Sequence, residues 1–479
     1  MSNPKLKHQT KIGIYWSFIN NFSNLGLSFV VGVVLARLLS PSDYGITALP
    51  AVFLSVATIF QNGGLSTALI RKPEVSDADL STAFFYGIGM GIFLYALLFF
   101  TAPFIADFYE TPILTSLIRI TSLVFLWGPL VTTQNVILNR RLDFKTPTKV
   151  TIVTRLLSAA VGISMAYAGF GVWALVLSGV IASLADTIFK WYIVRWFPTT
   201  GWSKSSFHYL WNFGNKMMIS GLLDTLYNNI TPLFVAKHYS TADLGVYNRA
   251  NQYAALPSSN ITGVIQNVTF PVLSKLQDDT AALAINYRKM LRVTAFVIFP
   301  IMLMLSALAK PFIIVLVTDK WADSILLLQI ICFSMMWYPI HAMNLNLLQV
   351  KGRSDLFLRL EVIKKIIGLS IMVVTLPLGL VVFCCGSIVG GMIGLVINTY
   401  YTGKLINVGY WKQMHDLFPI FLLALVSFFT VHGVNLFIEN NWLQLFIGGG
   451  SGALVYLLGA IIFKFPELDE VKYMLNRKK

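Results

Sequence analysis

Apolar stretches of twenty residues or more recur along the chain, separated by short polar links. They are continuous rather than alternating, which points to helices and not to the strands of a barrel. Fourteen are legible, near residues 12–38, 46–69, 81–106, 114–139, 149–169, 172–196, 213–236, 246–274, 289–317, 322–350, 357–380, 382–403, 417–437 and 442–463. Numbered helix one to helix fourteen, they predict an all-α polytopic membrane protein of about 14 transmembrane helices. The links at Gly169-Phe-Gly171 and around Leu380 predict very tight hairpins.

The pattern repeats. Helix one closes on Ala36-Arg-Leu-Leu-Ser-Pro-Ser-Asp-Tyr-Gly45, and 200 positions later helix seven closes on Ala236-Lys-His-Tyr-Ser-Thr-Ala-Asp-Leu-Gly245. Ser40 and Ser240 can cap the next helix, Asp43 and Asp243 favour its N-terminus, and the glycines permit a turn. Ala102-Pro-Phe-Ile105 pairs in the same way with Ala309-Lys-Pro-Phe-Ile313, and Arg141-Leu-Asp-Phe144 with Arg353-Ser-Asp-Leu-Phe357. The expected organisation is two parallel six-helix lobes, residues 1–200 (helices one to six) and 201–404 (helices seven to twelve). Residues 405–479 add helices thirteen and fourteen and a basic tail.

Composition agrees, since 56% of the 479 residues are hydrophobic and only 12% charged, against about 25% charged in soluble domains. The net charge of +15 would suggest nucleic acid in a soluble protein. Here it reads as cytoplasmic Lys and Arg, so no nucleic-acid partner is expected. The termini and the links after even-numbered helices, with the helix ends beside them, carry 25 Lys and Arg, against 5 on the other side (Arg37, Lys237, Arg249, Lys310 and Lys320). Lys5, Lys7, Lys11 and Arg477, Lys478, Lys479 count toward the first group. This asymmetry places both termini in the cytoplasm. The first apolar stretch is too long for a signal-peptide core of roughly 7–15 residues and reads as an uncleaved helix. Three cysteines inside apolar segments and six scattered histidines give no disulfide framework, no metal-ligand spacing and no expected cofactor. No link is long enough to form a soluble domain, and no P-loop is present.

Polar residues inside the spans are therefore the candidate chemistry. Helix one carries Ser17, Asn20, Asn21, Asn24 and Ser28, and helix seven carries Ser220, Asp224, Asn228 and Thr231. Spacings of three and four put each set on one helix face. Interhelical hydrogen bonding is the structural alternative for the Asn and Ser residues. Asp224 is distinct, because a carboxylate at depth costs about 2.5–3.5 kcal/mol and needs a partner, a proton or water. Its repeat mate is the neutral Asn24. Asp186 and Lys190, four apart on helix six, read as a structural ion pair. Arg155 and Lys216 read as residues that snorkel to the cytoplasmic interface, and Lys364 and Lys365 as near enough to it to meet lipid phosphates. Arg119 and Arg249 lie near the opposite ends of helices four and eight and could cap an elbow or bind an anion, and Arg37, at the far end of helix one, is a further cavity candidate. Gly63-Gly64 and the prolines at 257, 271, 300, 311 and 339 mark sites of bending.

Four stretches carry a family resemblance: Leu35-Ala-Arg-Leu-Leu-Ser-Pro-Ser-Asp-Tyr-Gly45, Gly169-Phe-Gly-Val-Trp-Ala-Leu175, Tyr247-Asn-Arg-Ala250 and Phe270-Pro-Val-Leu-Ser-Lys-Leu-Gln-Asp-Asp279. On these the chain resembles the Wzx-type polysaccharide flippases, in particular the colanic-acid-exporter-like branch of the multidrug/oligosaccharidyl-lipid/polysaccharide exporter superfamily. The resemblance implies an inner-membrane transporter with two six-helix lobes in a V. It implies undecaprenyl-diphosphate-linked oligosaccharide as substrate, membrane lipid as surroundings, H⁺ or Na⁺ as coupling ion, and the polysaccharide polymerase machinery as partner. Basic residues in the cavity of related flippases are thought to meet the diphosphate. Here the middle of helix one holds only Asn and Ser, and Arg37 stands at its far end. The competing readings are a cation-coupled multidrug antiporter of the same superfamily, a membrane glycan polymerase, and a scaffold. The missing catalytic constellation counts against the polymerase, and the polar stripes against the scaffold.

Overall fold

The computed structural model describes residues 4–476, with side chains from residue 15 to residue 472 except 17 and 18. Ser17, Lys5, Lys7, Lys11, Arg477, Lys478 and Lys479 lie outside the described side chains. Among the described residues there is no strand, and a helix or helix pair occupies each of the fourteen apolar stretches. Among the described residues, eleven helices are long and apolar enough to cross a membrane. The three that fall short of that measure are helix seven (Lys204–His238), helix eight (Thr241–Ser274) and helix eleven (Ser354–Thr375). These are the ones with charged or amide residues spread along them.

Several helices begin earlier than hydropathy alone suggests, because caps and not apolar residues set helix starts. Ser203 accepts a bond from the Ser206 amide at the start of helix seven, and Asp279 accepts from the amides of Ala281 and Ala282 at helix nine (Thr280–Ala307). Helix three (Asp77–Phe108) opens with a capping box of Ser76 and Asp79. Both repeat elbows are built alike. Ser40 Oγ lies 2.7 Å from Asp43 Oδ2, and Ser240 Oγ lies 2.7 Å from Asp243 Oδ2. The Asp43 and Asp243 amides donate back at 3.2 and 3.1 Å.

Breaks inside the spans also recur. Helix two (Pro41–Asn62) stops at Gly63 and Gly64, both left-handed at φ 51° and 68°, before continuing as Leu65–Arg71. Glycine tolerates this conformation without steric cost. Helix four divides into Ile113–Thr121 and Val124–Arg140, and helix ten into Ser324–Met335 and Tyr338–Val350. Pro339 and Pro311 sit in the first turn of new helical segments, where a missing N–H leaves no bond unmade, rather than kinking a continuous one. The tight hairpins form at Gly169 and Gly171 (φ 80° and 53°) and at Gly379 (φ 117°).

The chain forms two compact units, Met1–Gly245 and Val246–Lys479. In the first, helix five (Lys145–Tyr167) packs on helix six (Val172–Val194) and helix one (Pro4–Leu38), while helix three packs on helix four. Helix seven belongs to this unit because it lies along helix two and its continuation. In the second, helix nine is the core element, packed on helix thirteen (Tyr410–Leu436) and helix ten. Tyr287, Leu291, Ala295, Ile298, Phe299 and Met302 on helix nine are fully buried. Large apolar side chains such as Phe93, Phe100, Phe104, Phe429 and Phe437 remain exposed, as lipid-facing residues do. Close packing rather than removal of apolar area from water holds such helices together.

Candidate functional site

Helix one bears Asn20 and Asn24 half-buried and Ser28 exposed. Asn24 Nδ2 donates to Asn20 Oδ1 at 3.2 Å, which ties two members of the stripe along one face. Asn24 Oδ1 is buried and has no partner among the described residues. Helix seven exposes Lys216, Ser220, Asp224 and Asn228. Their spacing of four lays a cation, a hydroxyl, a carboxylate and an amide along one face. The helix thus offers both signs of charge and both hydrogen-bond roles in an otherwise apolar setting.

The elbows meet. Ser42 Oγ lies 2.9 Å from Thr241 Oγ1. A Cβ on Gly45 would overlap the Thr241 carbonyl, and a Cβ on Gly245 would overlap the Pro41 carbonyl. Thr241 is the repeat mate of Pro41, so the contact is reciprocal about the repeat. A second close crossing joins helices two and seven at the glycine break. There a Cβ on Gly64 would overlap the Gly214 carbonyl. Helix two is therefore met by bare glycine backbone near both ends, by Thr241 and Gly245 at the start of helix eight and by Gly214 of helix seven.

The remaining candidates are scattered. Arg37 and Arg155 are exposed. Arg119 donates from Nε to the Phe99 carbonyl at 3.2 Å and lies over the Phe99 ring at 4.2 Å. Arg249 is 4% exposed, donates to Gln252 Oε1 at 3.1 Å, and sits over the rings of Trp321 (5.1 Å) and Tyr253 (5.6 Å). Its guanidinium is enclosed by its own unit. Lys190 Nζ lies 2.8 Å from Asp186 Oδ2, with the lysine buried. Lys364 Nζ lies 2.5 Å from Glu361 Oε1 on its own helix, with the lysine largely buried. In the links the repeat keeps its residues and changes their partners. Asp143 accepts from Thr146, whereas Asp355 accepts both Nε and Nη2 of Arg353. That guanidinium draws the Asp355 carboxyl down to about 2.

One polar centre was not legible in the sequence. Asn344, Gln413 and Thr402 form a closed set of bonds at 2.7–3.0 Å in the second unit, and Asn398 meets His341 at 3.1 Å beside it. These residues come from three helices, Tyr338–Val350, Leu380–Ile406 and Tyr410–Leu436, so only packing assembles them.

The model of the polysaccharide biosynthesis protein family matches residues 34–326, more than half of the chain. The chain belongs to that family. The lipopolysaccharide biosynthesis protein WzxC of Escherichia coli (strain K12) is 24% identical over 99% of this family member and 98% of its own length. An uncharacterized membrane protein in the cps region of Klebsiella pneumoniae is 27% identical over 98% and 99%. Among solved structures, the lipid II flippase MurJ in an inward closed conformation superposes with a TM-score of 0.74. It shares 17% identity and covers 94% of this chain and 99% of that one, so the polysaccharide biosynthesis chain has the fold of that membrane transporter.

Proposed function

We propose that the protein is a flippase that moves polyprenyl-diphosphate-linked oligosaccharide units from the cytoplasmic to the periplasmic leaflet by alternating access. The observation that carries this reading is the exposed face Lys216–Ser220–Asp224–Asn228 of helix seven, in a chain of the polysaccharide biosynthesis family with a flippase fold. A sugar-diphosphate head can cross only where hydroxyl, amide and cationic groups replace its water. The polyprenyl tail stays in lipid throughout. Asp224 binds the coupling cation, H⁺ or Na⁺, or orients a basic residue toward the diphosphate. We place the protein in the inner membrane with both termini cytoplasmic, on the strength of the charge asymmetry, and read residues 1–200 and 201–404 as the repeated lobes. The chain itself performs transport and no bond-making chemistry.

The test is deletion of the gene followed by chemical analysis of lipid-linked glycans. Incomplete export predicts that diphosphate-linked oligosaccharide accumulates in the cytoplasmic leaflet, and that the purified protein flips it in proteoliposomes. Normal glycan export after deletion, with no flipping by the pure protein, overturns the reading.

A further inference from the structure

In its first half, helix nine carries three basic residues on two adjoining turns, Arg288, Lys289 and Arg292. All three line an open cleft of about 320 Å³ with Glu467 and Glu470 on its other wall. Those carboxylates come from the last helix, Pro466–Asn476, which begins with acidic residues. Lys289 Nζ lies 2.6 Å from Glu470 Oε1, and Arg292 Nε lies 2.5 Å from Glu467 Oε1. Arg288 is held differently, by both oxygens of Asp416 on helix thirteen at 2.7 and 2.6 Å.

The charges are arranged for exchange. Three cations face three carboxylates while the last helix is docked, so the cleft is close to neutral. With that helix away, Asp416 still offsets Arg288, and Lys289 and Arg292 leave two uncompensated positive charges. All three basic side chains remain partly exposed, at 44%, 51% and 35%. Glu467 is 3% exposed, and its Oε2 is buried without a hydrogen-bond partner among the described residues. A carboxylate satisfied on one oxygen only is a costly anchor, so the docked helix is held less tightly than its ion pairs suggest.

We infer that Arg288, Lys289 and Arg292 form a binding cleft for a phosphate-bearing anion, and that Glu467 and Glu470 occupy it as an internal competitor. Fork-shaped guanidinium groups beside an ammonium suit a phosphate monoester, diester or diphosphate. Two sources share that chemistry, an anionic lipid headgroup and a soluble phosphate. Binding of either displaces the last helix.

The experiment uses the purified full-length protein and its E467Q/E470Q variant. Binding of phosphatidylglycerol, phosphatidylcholine and inorganic pyrophosphate is measured by native mass spectrometry. Removing the competing charges is expected to tighten phosphatidylglycerol or pyrophosphate binding about tenfold, the effect of two partly exposed ion pairs. Adding Arg292→Gln returns it to the wild-type value. A gain for phosphatidylglycerol alone identifies a lipid, and a gain for pyrophosphate alone a soluble anion. An equal gain for phosphatidylcholine, or no gain, overturns the inference. If the variant does not fold, wild-type hydrogen exchange decides: amides of residues 466–472 exchange faster with the anion present, and unchanged exchange overturns it. The readout is binding rather than export, so its failure is separate from failure of the flippase reading.

Discussion

The reciprocal glycine contact at the elbows yields the most quantitative prediction. Gly45→Ala places a methyl where the Thr241 carbonyl stands, and Gly245→Ala places one where the Pro41 carbonyl stands; each methyl also lies 3.1 Å from the other glycine's nitrogen. The obstructing atoms are backbone, so no rotamer change relieves them and the helices must part. Overpacking of this kind costs about 1–3 kcal/mol, and the Ser42–Thr241 bond at 2.9 Å contributes about 1 kcal/mol more when it is lost. The assay is disulfide formation in Ser42→Cys/Thr241→Cys, which has already given up that hydrogen bond. Only the overpacking remains, and 1–3 kcal/mol lowers the population of the closed contact about 5–150-fold. Oxidation of the cysteine pair should slow by that factor with either alanine. With both alanines the loss should be smaller than the sum, because they act on one contact. A contact that opens during transport further predicts normal protein abundance with reduced export. Oxidation rates within twofold of the parent in both alanine variants, at normal abundance, would refute the reasoning.

Asp224→Asn keeps shape and hydrogen bonding but removes the charge; it should leave abundance intact while export falls or loses its dependence on the ion gradient, read by flipping in proteoliposomes. Asp186→Asn strands the buried Lys190, so abundance and thermal stability should drop, by about 3 kcal/mol at most for a pair that is partly solvated. Lys190→Gln in the same chain should restore much of the loss, and the recovery is measured by fluorescence-detected size-exclusion thermal melts. For topology, a cysteine replacing Glu110 should react with an impermeant maleimide in intact spheroplasts, whereas one replacing Lys145 should not; the opposite pattern reverses the assigned orientation.

Contiguous residues governed what could be read directly. Hydropathy located the fourteen helical stretches, because the need to satisfy every backbone group in lipid leaves one answer for a long apolar run. Helix seven, eight and eleven are more polar than the rest, and their apolar length alone does not qualify them as spans. The elbow caps were also legible, since Ser40 with Asp43 and Ser240 with Asp243 interact across three residues of one chain segment. The same holds for Asp186 and Lys190, one helical turn apart. The polar face of helix seven follows from its period alone.

Other features exist only because distant segments come together. Nothing local to Gly45 says that Thr241 will press on it; the elbow repeat gives the resemblance of the two segments, not their contact. Arg249 looks from its neighbours like a residue free to meet an anion, yet Trp321, more than seventy positions away, covers its guanidinium. Asn344 acquires its partners from Thr402 and Gln413 on two other helices. The tail reads as basic by composition, and tertiary packing instead turns its acidic first turn onto Arg292 and Lys289. Periodicity and capping are short-range properties that the order of residues encodes. Charge pairing and close backbone approach depend on which surfaces are brought within a few ångströms, and the tertiary structure alone decides that.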